Sequence, residues 1–420
     1  MAFGPLTIFD KSFLQSLNPY ESVWFDNFFR TIITPLFFVE TLADLEKEVS
    51  TGKTPQDIVG QLASKTPDMN SIPNVHHFNL VVSNLLGYPV EMHRRPIISG
   101  GTPKISERGY SLFFKGFPES DAFARWKKGE FLETERNFAK TWRVALANPG
   151  YETSIAMASN TVPVGKHFTD LAQVKSFVDS FLSNTTIEHL YLLFEIIDIP
   201  TKARTSILER WKSQGKPKLS TFAPYAYFVF SIDLFFYISA AHGHIAKERT
   251  SNKVDIAYLY YLPFAHILIS NDNLHKRTAP LFMESDQMLL TGDELKPDLT
   301  RLDEYYDKLP QEVKDEGIIR FATYPPYDME TKISKLWDKY LPIWRKHDQE
   351  DRSGPKIVEQ DPELLKRLDR VETAPRYTGR VVSSDEAESV TFSRTISTRK
   401  GKWRTVPKSV EDTANKDKKS

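Results

Sequence analysis

Four acidic residues lie at the ends of apolar segments of this chain. Along the sequence they are Asp10 after LTIF, Glu40 after LFFV, Asp255 before IAYLYYLPF, and Asp272 after HILISN. A carboxylate at the end of a strand leaves the carboxyl edge of a sheet, which is where open α/β proteins bind their ligands. The chain has no cysteine, so the candidate ligands are carboxylate oxygens. The pattern predicts a site for a hard divalent metal ion.

The chemistry predicted for this site is hydrolysis of phosphodiester bonds with Mg²⁺ or Mn²⁺. Mg²⁺ takes one or two carboxylates and keeps several waters, and a bound ion activates water and relieves charge on the leaving oxygen. We expect Asp10 and Asp272 to bind the ion directly, and Asp255 to bind the same ion or a second one. Glu40 would hold a metal-bound water or complete the site. Ser270 would orient Asp272 through a hydrogen bond.

Each acidic residue also has a purely structural interpretation. Asp10 and Asp255 lie where N-caps lie, since an aspartate before a helix satisfies free backbone N–H groups. Asp272 in SNDN is suited to a turn, and Glu40 at the start of a helix interacts favourably with the helix dipole. The four acids together, in this order, favour the metal site.

The composition is that of a folded protein without a strong overall charge. The 420 residues are 40 % hydrophobic and 12 % aromatic, with a formal net charge of +0, so no global basic field favours nucleic acid. Segment 222–241 is nearly long enough to cross a membrane. Asp233 in its middle favours a buried core helix, because a charge at the bilayer centre costs about 2.5–3.5 kcal/mol. We expect a soluble protein with no membrane partner. The sequence MAFGPLTIFDKSF lacks a secretion signal, which favours a cytoplasmic location.

Changes in composition divide the chain into three regions. Residues 1–50 and 186–345 alternate strand and helix patterns and predict one discontinuous α/β domain. Residues 51–185, in which Pro and Gly punctuate amphipathic segments, predict a mostly helical insertion. Residues 346–420 are polar and predict a disordered tail. Its basic run around Trp403 has the composition of a single-strand binding segment, although a solvated tail is the favoured interpretation.

The order of the four motifs resembles that of the PIN-domain nucleases, the PilT N-terminus-like family. IFDKSFL matches the first aspartate, LFFVETLADL the glutamate, VDIAYLYYLPFAHILIS the third acid with its helix, and SND the last acid. The resemblance implies a PIN-like three-layer α/β sandwich with a central parallel sheet. It also implies endoribonuclease activity at a Mg²⁺ or Mn²⁺ site built by the four acids. The long insertion between the second and third motifs departs from compact members of the family and leaves the substrate and the accessibility of the site open.

Two other functions remain open at this point. One is a non-catalytic PIN-like scaffold whose insertion contacts partner proteins, and the other is a metal-dependent phosphohydrolase acting on a small nucleotide. RNA is the partner that the nuclease interpretation predicts. The sequence leaves open the oligomeric state and the existence of an inhibitory protein partner. Convergence of the four carboxylates on one ion would separate an enzyme from a scaffold, because metal–oxygen bonds are about 2.0–2.6 Å long.

Overall fold

The structure is a computed structural model that describes residues 4–43, 52, 54–106, 109–115, 118–128, 130, 135, 137, 150–249, 251–353, 362–380, 382–383, 385–393 and 396–417. The strands are β1 (Leu6–Phe9), β2 (Arg30–Ile33), β3 (Ser71–Pro73), β4 (Thr102–Ser106), β5 (Gly109–Lys115), β6 (Ile267–Ile269), β7 (Met288–Leu290), β8 (Ser389–Ser393), β9 (Arg399–Lys400) and β10 (Trp403–Arg404). The helices are α1 (Lys11–Ser16), α2 (Pro19–Phe28), α3 (Pro35–Ala43), α4 (Pro55–Lys65), α5 (His77–Leu86), α6 (Pro118–Lys127), α7 (Gly150–Ser159), α8 (Leu171–Leu182), α9 (Ile187–Ile196), α10 (Thr201–Ser213), α11 (Leu219–Phe222), α12 (Pro224–Ala241), α13 (Asn252–Ala257), α14 (Asn273–Thr278), α15 (Gly292–Asp307), α16 (Gln311–Asp315), α17 (Ile318–Phe321), α18 (Lys332–Tyr340), α19 (Trp344–Ser353), α20 (Pro362–Thr373) and α21 (Lys408–Asp417). Two 3₁₀ helices span Tyr258–Phe264 and Ala279–Leu281.

The centre of the fold is a parallel five-stranded sheet with the order β3-β2-β1-β6-β7. Its short strands are apolar on both faces. Ile8 and Leu268 belong to one hydrophobic core, whereas Phe9 and Ile269 belong to another. Strands buried on both faces are typical of parallel sheets covered by helices. The expected α/β fold with a central parallel sheet is confirmed, and its specifically PIN-like arrangement stays a prediction.

The strand order reverses at β1, because β2 and β3 lie on one side of it and β6 and β7 on the other. In open α/β sheets, ligands bind in the crevice outside the carboxyl ends of the strands at such a reversal. Here this crevice adjoins the ends of β1 and β6. These two strands are followed directly by Asp10 and Ser270.

The prediction that a strand ends at Glu40 is wrong. β2 ends at Ile33, and α3 spans Pro35–Ala43, so Glu40 lies within a helix. Proline lacks an N–H and its fixed φ suits the first helical turn. The helix therefore begins at Pro35, despite the aromatic and β-branched residues FFV that follow.

The apolar segment 224–241 forms the core helix α12. Within the described residues, α12 is long and apolar enough to cross a membrane, but 78 % of it is buried inside the protein. Asp233 on α12 is 4 % exposed. Its carboxylate pairs with Lys253 and accepts a hydrogen bond from Tyr260. Such burial is consistent with a core helix of a soluble protein, and a cytoplasmic location stays a prediction.

The predicted insertion, residues 51–185, is joined to the central sheet. β3 lies in this region and pairs with β2, and α4 packs against α1 and α2. β4 and β5 also belong to the region and form a second sheet with β8, which comes from the C-terminal part of the chain. Helices α4 to α8 agree with the expected helical character. The domain boundaries stay predictions.

The predicted disorder of the tail is wrong for the part of the tail that the structure describes. Trp403 is 2 % exposed and its ring centroid lies 4.9 Å from that of Trp24. Its Nε1 donates to Asp303 Oδ1 over 2.7 Å. Lys400 Nζ lies 3.0 Å from Asp26 Oδ2 in a pair that is buried on both sides. The average composition of residues 346–420 is polar and therefore gave no sign of the few residues, such as Trp403 and Lys400, that attach this segment to the rest of the protein.

The basic run around Trp403 is engaged within the protein. Arg394, its first cation, lies outside the described residues. The other cations pair with acidic side chains of the fold, as Arg399–Glu411, Lys400–Asp26, Lys402–Asp303 and Arg404–Asp315. The interpretation of this run as a solvated tail is therefore wrong for these residues.

We expect Trp403→Ala to lower the free energy of unfolding by about 3–5 kcal/mol, because it empties a buried site beside Trp24. Val410→Ala in the same C-terminal segment is the control. Val410 is 39 % exposed, so its truncation should change stability little. Denaturant titration of the full chain measures both variants. Equal stability of Trp403→Ala and the parent would contradict the docking of this segment.

Candidate active site

The central group of the candidate site is Asp10, at the carboxyl end of β1. It is 3 % exposed and caps α1, because its Oδ1 accepts the N–H of Phe13 at 2.8 Å. Its Oδ2 accepts the hydroxyl groups of Ser12 at 2.8 Å and of Ser270 at 2.5 Å. The N-cap interpretation is correct for Asp10, but the cap uses only one of its two oxygens.

His275 completes this buried network. Its Nδ1 lies 2.7 Å from Ser270 Oγ and 3.5 Å from Asp10 Oδ2, and its Nε2 lies 2.7 Å from the backbone oxygen of Asp255. Because a backbone oxygen only accepts, Nε2 carries a proton. Ser270 donates its one proton to Asp10 and accepts the N–H of Asp272 at 3.0 Å, so Nδ1 is also a donor. All these groups are satisfied when His275 is an imidazolium.

The electrostatics of the site agree with this assignment. Burial alone would lower the pKa of His275, but the hydrogen bond and the charge of Asp10, with help from Asp255, raise it to about 9. Burial alone would raise the pKa of Asp10, but His275 and Ser270 hold it below its ordinary value. Asp10 and His275 therefore form a buried ion pair. Such a pair is tolerated when further hydrogen bonds satisfy both groups, as they do here.

Two further carboxylates, those of Glu40 and Asp255, take part in the electrostatic interactions around Asp10. Burial and the charges of Asp10 and Asp255 raise the pKa of Glu40 to about 8, although the charge of Lys11 and a hydrogen bond from Tyr258 oppose the rise. The Tyr258 hydroxyl donates to Glu40 Oε2 over 2.7 Å. Asp10 comes from the end of β1, Glu40 from α3 and Asp255 from α13. Three separate segments thus place Asp10 and Asp255 near enough to Glu40 for their charges to raise its pKa.

Asp272, the fourth predicted acid, has a local role. Its Oδ1 accepts the N–H of Leu274 at 2.5 Å and so caps α14. Among the hydrogen bonds of the described residues, none joins its carboxylate to the other three acids. Ser270 was expected to orient the Asp272 carboxylate, but it donates its proton to Asp10 instead. A direct role of Asp272 in chemistry stays a prediction.

One polar residue follows each strand of the central sheet. The strand register places the five residues in one row, in the order Asn74, Thr34, Asp10, Ser270 and Thr291. Thr34 Oγ1 and Asn74 Nδ2 are buried and have no hydrogen-bond partner among the described residues. Buried polar atoms without a partner are uncommon in native proteins and call for an explanation. Unused donors thus lie on the β2–β3 side of Asp10.

A divalent ion fits this site in part. The available donors are oxygens, and a pair drawn from Asp10, Glu40 and Asp255 matches the one or two carboxylates that Mg²⁺ usually takes. A bound cation would also relieve the repulsion that helps to raise the pKa of Glu40. Within the part of the chain that the structure describes, however, no three or more His, Cys, Asp or Glu side chains are arranged to hold one ion. Metal binding therefore stays a prediction.

Comparisons with known proteins add no relative from which a role could be carried over. The chain matches no family model, no curated protein and no solved structure. The resemblance to PIN-domain nucleases thus depends on the sequence motifs alone, and membership of that family stays a prediction.

The sequence analysis missed three residues of this site: His275, Lys11 and Tyr258. His275 lies in the first turn of the helix that Asp272 caps, so a polar residue facing the strand ends was a recognisable signal there. Lys11 follows Asp10 directly, yet nothing in the sequence marks it as buried. Tyr258 lies in the run YLYYLPF, whose apolar character concealed the use of its hydroxyl group.

Ser270→Ala should lower the free energy of unfolding by about 1–3 kcal/mol, because it removes a donor to buried Asp10 and the acceptor of the Asp272 N–H. Ser12→Ala also removes a hydroxyl donor to Asp10, but at a half-buried position where water replaces the bond. It is the matched control and should cost less. Denaturant titration measures the free energy of unfolding of both variants. An equal loss of stability in the two would contradict the conclusion that Ser270 is the more important hydroxyl donor to Asp10.

The stability of the fold should fall as Glu40 and His275 lose their protons. Their pKa values rise on folding from 4.5 to about 8 for Glu40 and from 6.5 to about 9 for His275. Within these windows the folded state binds more protons than the unfolded state, so stability decreases with increasing pH.

Glu40→Gln keeps an acceptor for Tyr258 but cannot ionise. It should therefore remove the part of the decrease that lies between pH 4.5 and about 8. Thermal melts over this range measure the effect, with Glu209→Gln at an exposed position of α10 as the control. The same pH slope in the parent and in Glu40→Gln would show that the environment of Glu40 has been misjudged.

Proposed function

We propose that this protein is a divalent-metal-dependent nuclease that hydrolyses phosphodiester bonds in RNA. The supporting observation is the shared environment of Asp10, Glu40 and Asp255, which come from three separate segments. An N-cap explains Asp10 alone, but it does not explain why two more acids lie close enough to raise the pKa of Glu40. Their position beside the reversal of the order β3-β2-β1-β6-β7 also favours a PIN-like arrangement.

The side chains of the site suit this chemistry. Held by a pair drawn from Asp10, Glu40 and Asp255, a Mg²⁺ or Mn²⁺ ion would supply an activated water and charge relief at the leaving oxygen. Glu40, with a pKa of about 8 in the absence of an ion, is able to exchange a proton near neutral pH. Lys11 is 3 % exposed and places a positive charge beside Glu40, where a phosphate group would be attracted. His275 keeps Asp10 ionised.

The unused donors of Thr34 and Asn74 support a substrate contact on the β2–β3 side. A threonine hydroxyl and an amide N–H both donate to acceptor oxygens such as those of a phosphodiester or a ribose. Both side chains are buried, so contact with a substrate requires movement of the residues that cover them. The proposal therefore includes a local opening of the carboxyl edge of the sheet.

A non-catalytic scaffold is the second candidate, and one observation favours it. Asp10 is 3 % exposed and receives hydrogen bonds from Phe13, Ser12 and Ser270. The protein itself thus satisfies this carboxylate, and such a network stabilises the junction of two strands without a ligand. The two candidates differ in their response to metal ions.

The nuclease proposal predicts that the parent chain cleaves labelled RNA with Mg²⁺ or Mn²⁺ and that EDTA stops the cleavage. Asp255→Asn and Glu40→Gln should lose most of this activity, because an amide keeps the shape of the side chain but not the charge that holds an ion. Asp293→Asn, at an exposed acid in the first turn of α15, is the matched control and should cleave like the parent.

Thermal melts of the same proteins need no substrate. An ion that binds only the folded state adds about 2.7 kcal/mol at a hundred times its Kd, so Mn²⁺ should raise the Tm of the parent but not of Asp255→Asn. If Mn²⁺ does not change the Tm of the parent, and the parent cleaves neither RNA nor a small nucleotide, the nuclease proposal is wrong and the protein is a non-catalytic scaffold.

A further inference from the structure

A groove lies between α8 and the loop that precedes it. Its volume is about 520 Å³, and its walls include Lys166, Phe168, Phe177 and Phe181. Ser176 adds a hydroxyl group on the exposed face of α8. Among the residues that the structure describes, no acidic side chain lines the groove. The lining is therefore aromatic and cationic.

The Lys166 ammonium group lies over two of the rings. Lys166 Nζ lies 4.5 Å from the ring centroid of Phe177 and 5.6 Å from that of Phe168. Phe177 and Phe181 are stacked with centroids 6.0 Å apart. Both rings pack partly against the large core, which fixes their positions while part of each ring stays accessible. Lys166 is exposed and makes no ion pair within the described residues.

A chain of contacts connects the groove to the candidate active site. α14 carries His275, and Arg277 in its last turn donates to the backbone oxygen of His244 over 2.9 Å. His244 Nε2 lies 3.2 Å from the backbone oxygen of Phe168, which lines the groove. The segment that forms the groove wall is thus attached to the helix that begins beside Asp272. Lys276 and Arg277 on α14 are exposed cations along this connection.

We infer that the groove binds a single-stranded segment of nucleic acid, with a base against Phe177 and Phe181 and a phosphate at Lys166. This inference rests on the proposed nuclease function, because it names the part of the substrate that lies beyond the scissile bond. Stacking on aromatic rings beside a cation is how proteins hold single strands without reading their sequence. Bases in a duplex are already stacked on each other, so the groove selects single-stranded substrate.

The test measures binding in EDTA, where cleavage does not occur. Fluorescence anisotropy of a labelled oligouridylate gives the Kd of the full-length parent and of its variants. Phe177→Leu keeps an apolar side chain but removes the ring, and it should weaken binding about tenfold. Lys166→Gln should lower the slope of log Kd against log salt by about one. Lys212→Gln and Phe392→Leu, at exposed positions outside the groove, are the matched controls and should bind like the parent.

The outcomes separate this inference from the proposed function. Binding that depends on the groove, with no cleavage in Mn²⁺, would support the groove and overturn the nuclease. Cleavage with unchanged Kd and salt dependence in both groove variants would overturn the groove alone. A parent that does not bind oligouridylate at low salt would also overturn it. So would duplex RNA that binds as tightly as the single strand, because the rings would then have no role. Lys166 is exposed, so Lys166→Gln tests the inference even if Phe177→Leu does not fold.

Discussion

A carboxylate withdrawn from water is costly unless other groups meet its charge, and Asp10 imposes this constraint at the centre of the sheet. Its charge is met by the N-terminal turn of α1, by the hydroxyl of Ser270 after β6 and by the imidazolium of His275 on α14. Satisfying one charge therefore joins two segments that are distant in sequence, residues 10–13 and residues 270–275. The charges of Asp10 and Asp255 act on Glu40. The positions of these acids are therefore a consequence of the same contacts that hold the fold together.

The same principle recurs where other distant segments meet. Asp26 on α2 pairs with Lys400 of the C-terminal segment and also accepts backbone N–H groups near Met69. Asp233 pairs with Lys253 between α12 and α13. Apolar packing supplies most of the stabilisation in such a fold, but it is not directional. The buried ion pairs make the packing specific. Each charge requires its own partner, because removal of either partner leaves the other charge buried and uncompensated.

Periodicity and apolar runs in the sequence were sufficient to predict β1, β6 and the core helix α12. They were misleading at TPLFFV, because Pro35 begins a helix within residues that favour a strand. They did not reveal His275, because its ion-pair partner Asp10 is distant in sequence and a single polar residue in a short helix gives no periodic pattern. The tail was misjudged for a related reason. Average polarity indicates disorder, whereas one tryptophan and one lysine with complementary partners are enough to dock a segment.

The docked C-terminal segment has a consequence for synthesis of the protein. Trp403 packs against Trp24 and Phe321, so the apolar surface of α2 that it covers waits for a partner that is synthesised long after α2 itself. At about 5–20 residues per second, roughly 20–80 s separate the two tryptophans on the ribosome. During that interval the part of α2 that Trp403 covers lacks this partner, and exposed apolar surface of this kind favours aggregation of partly folded chains. A chain that stops short of Trp403 keeps this exposed surface and is open to proteolysis.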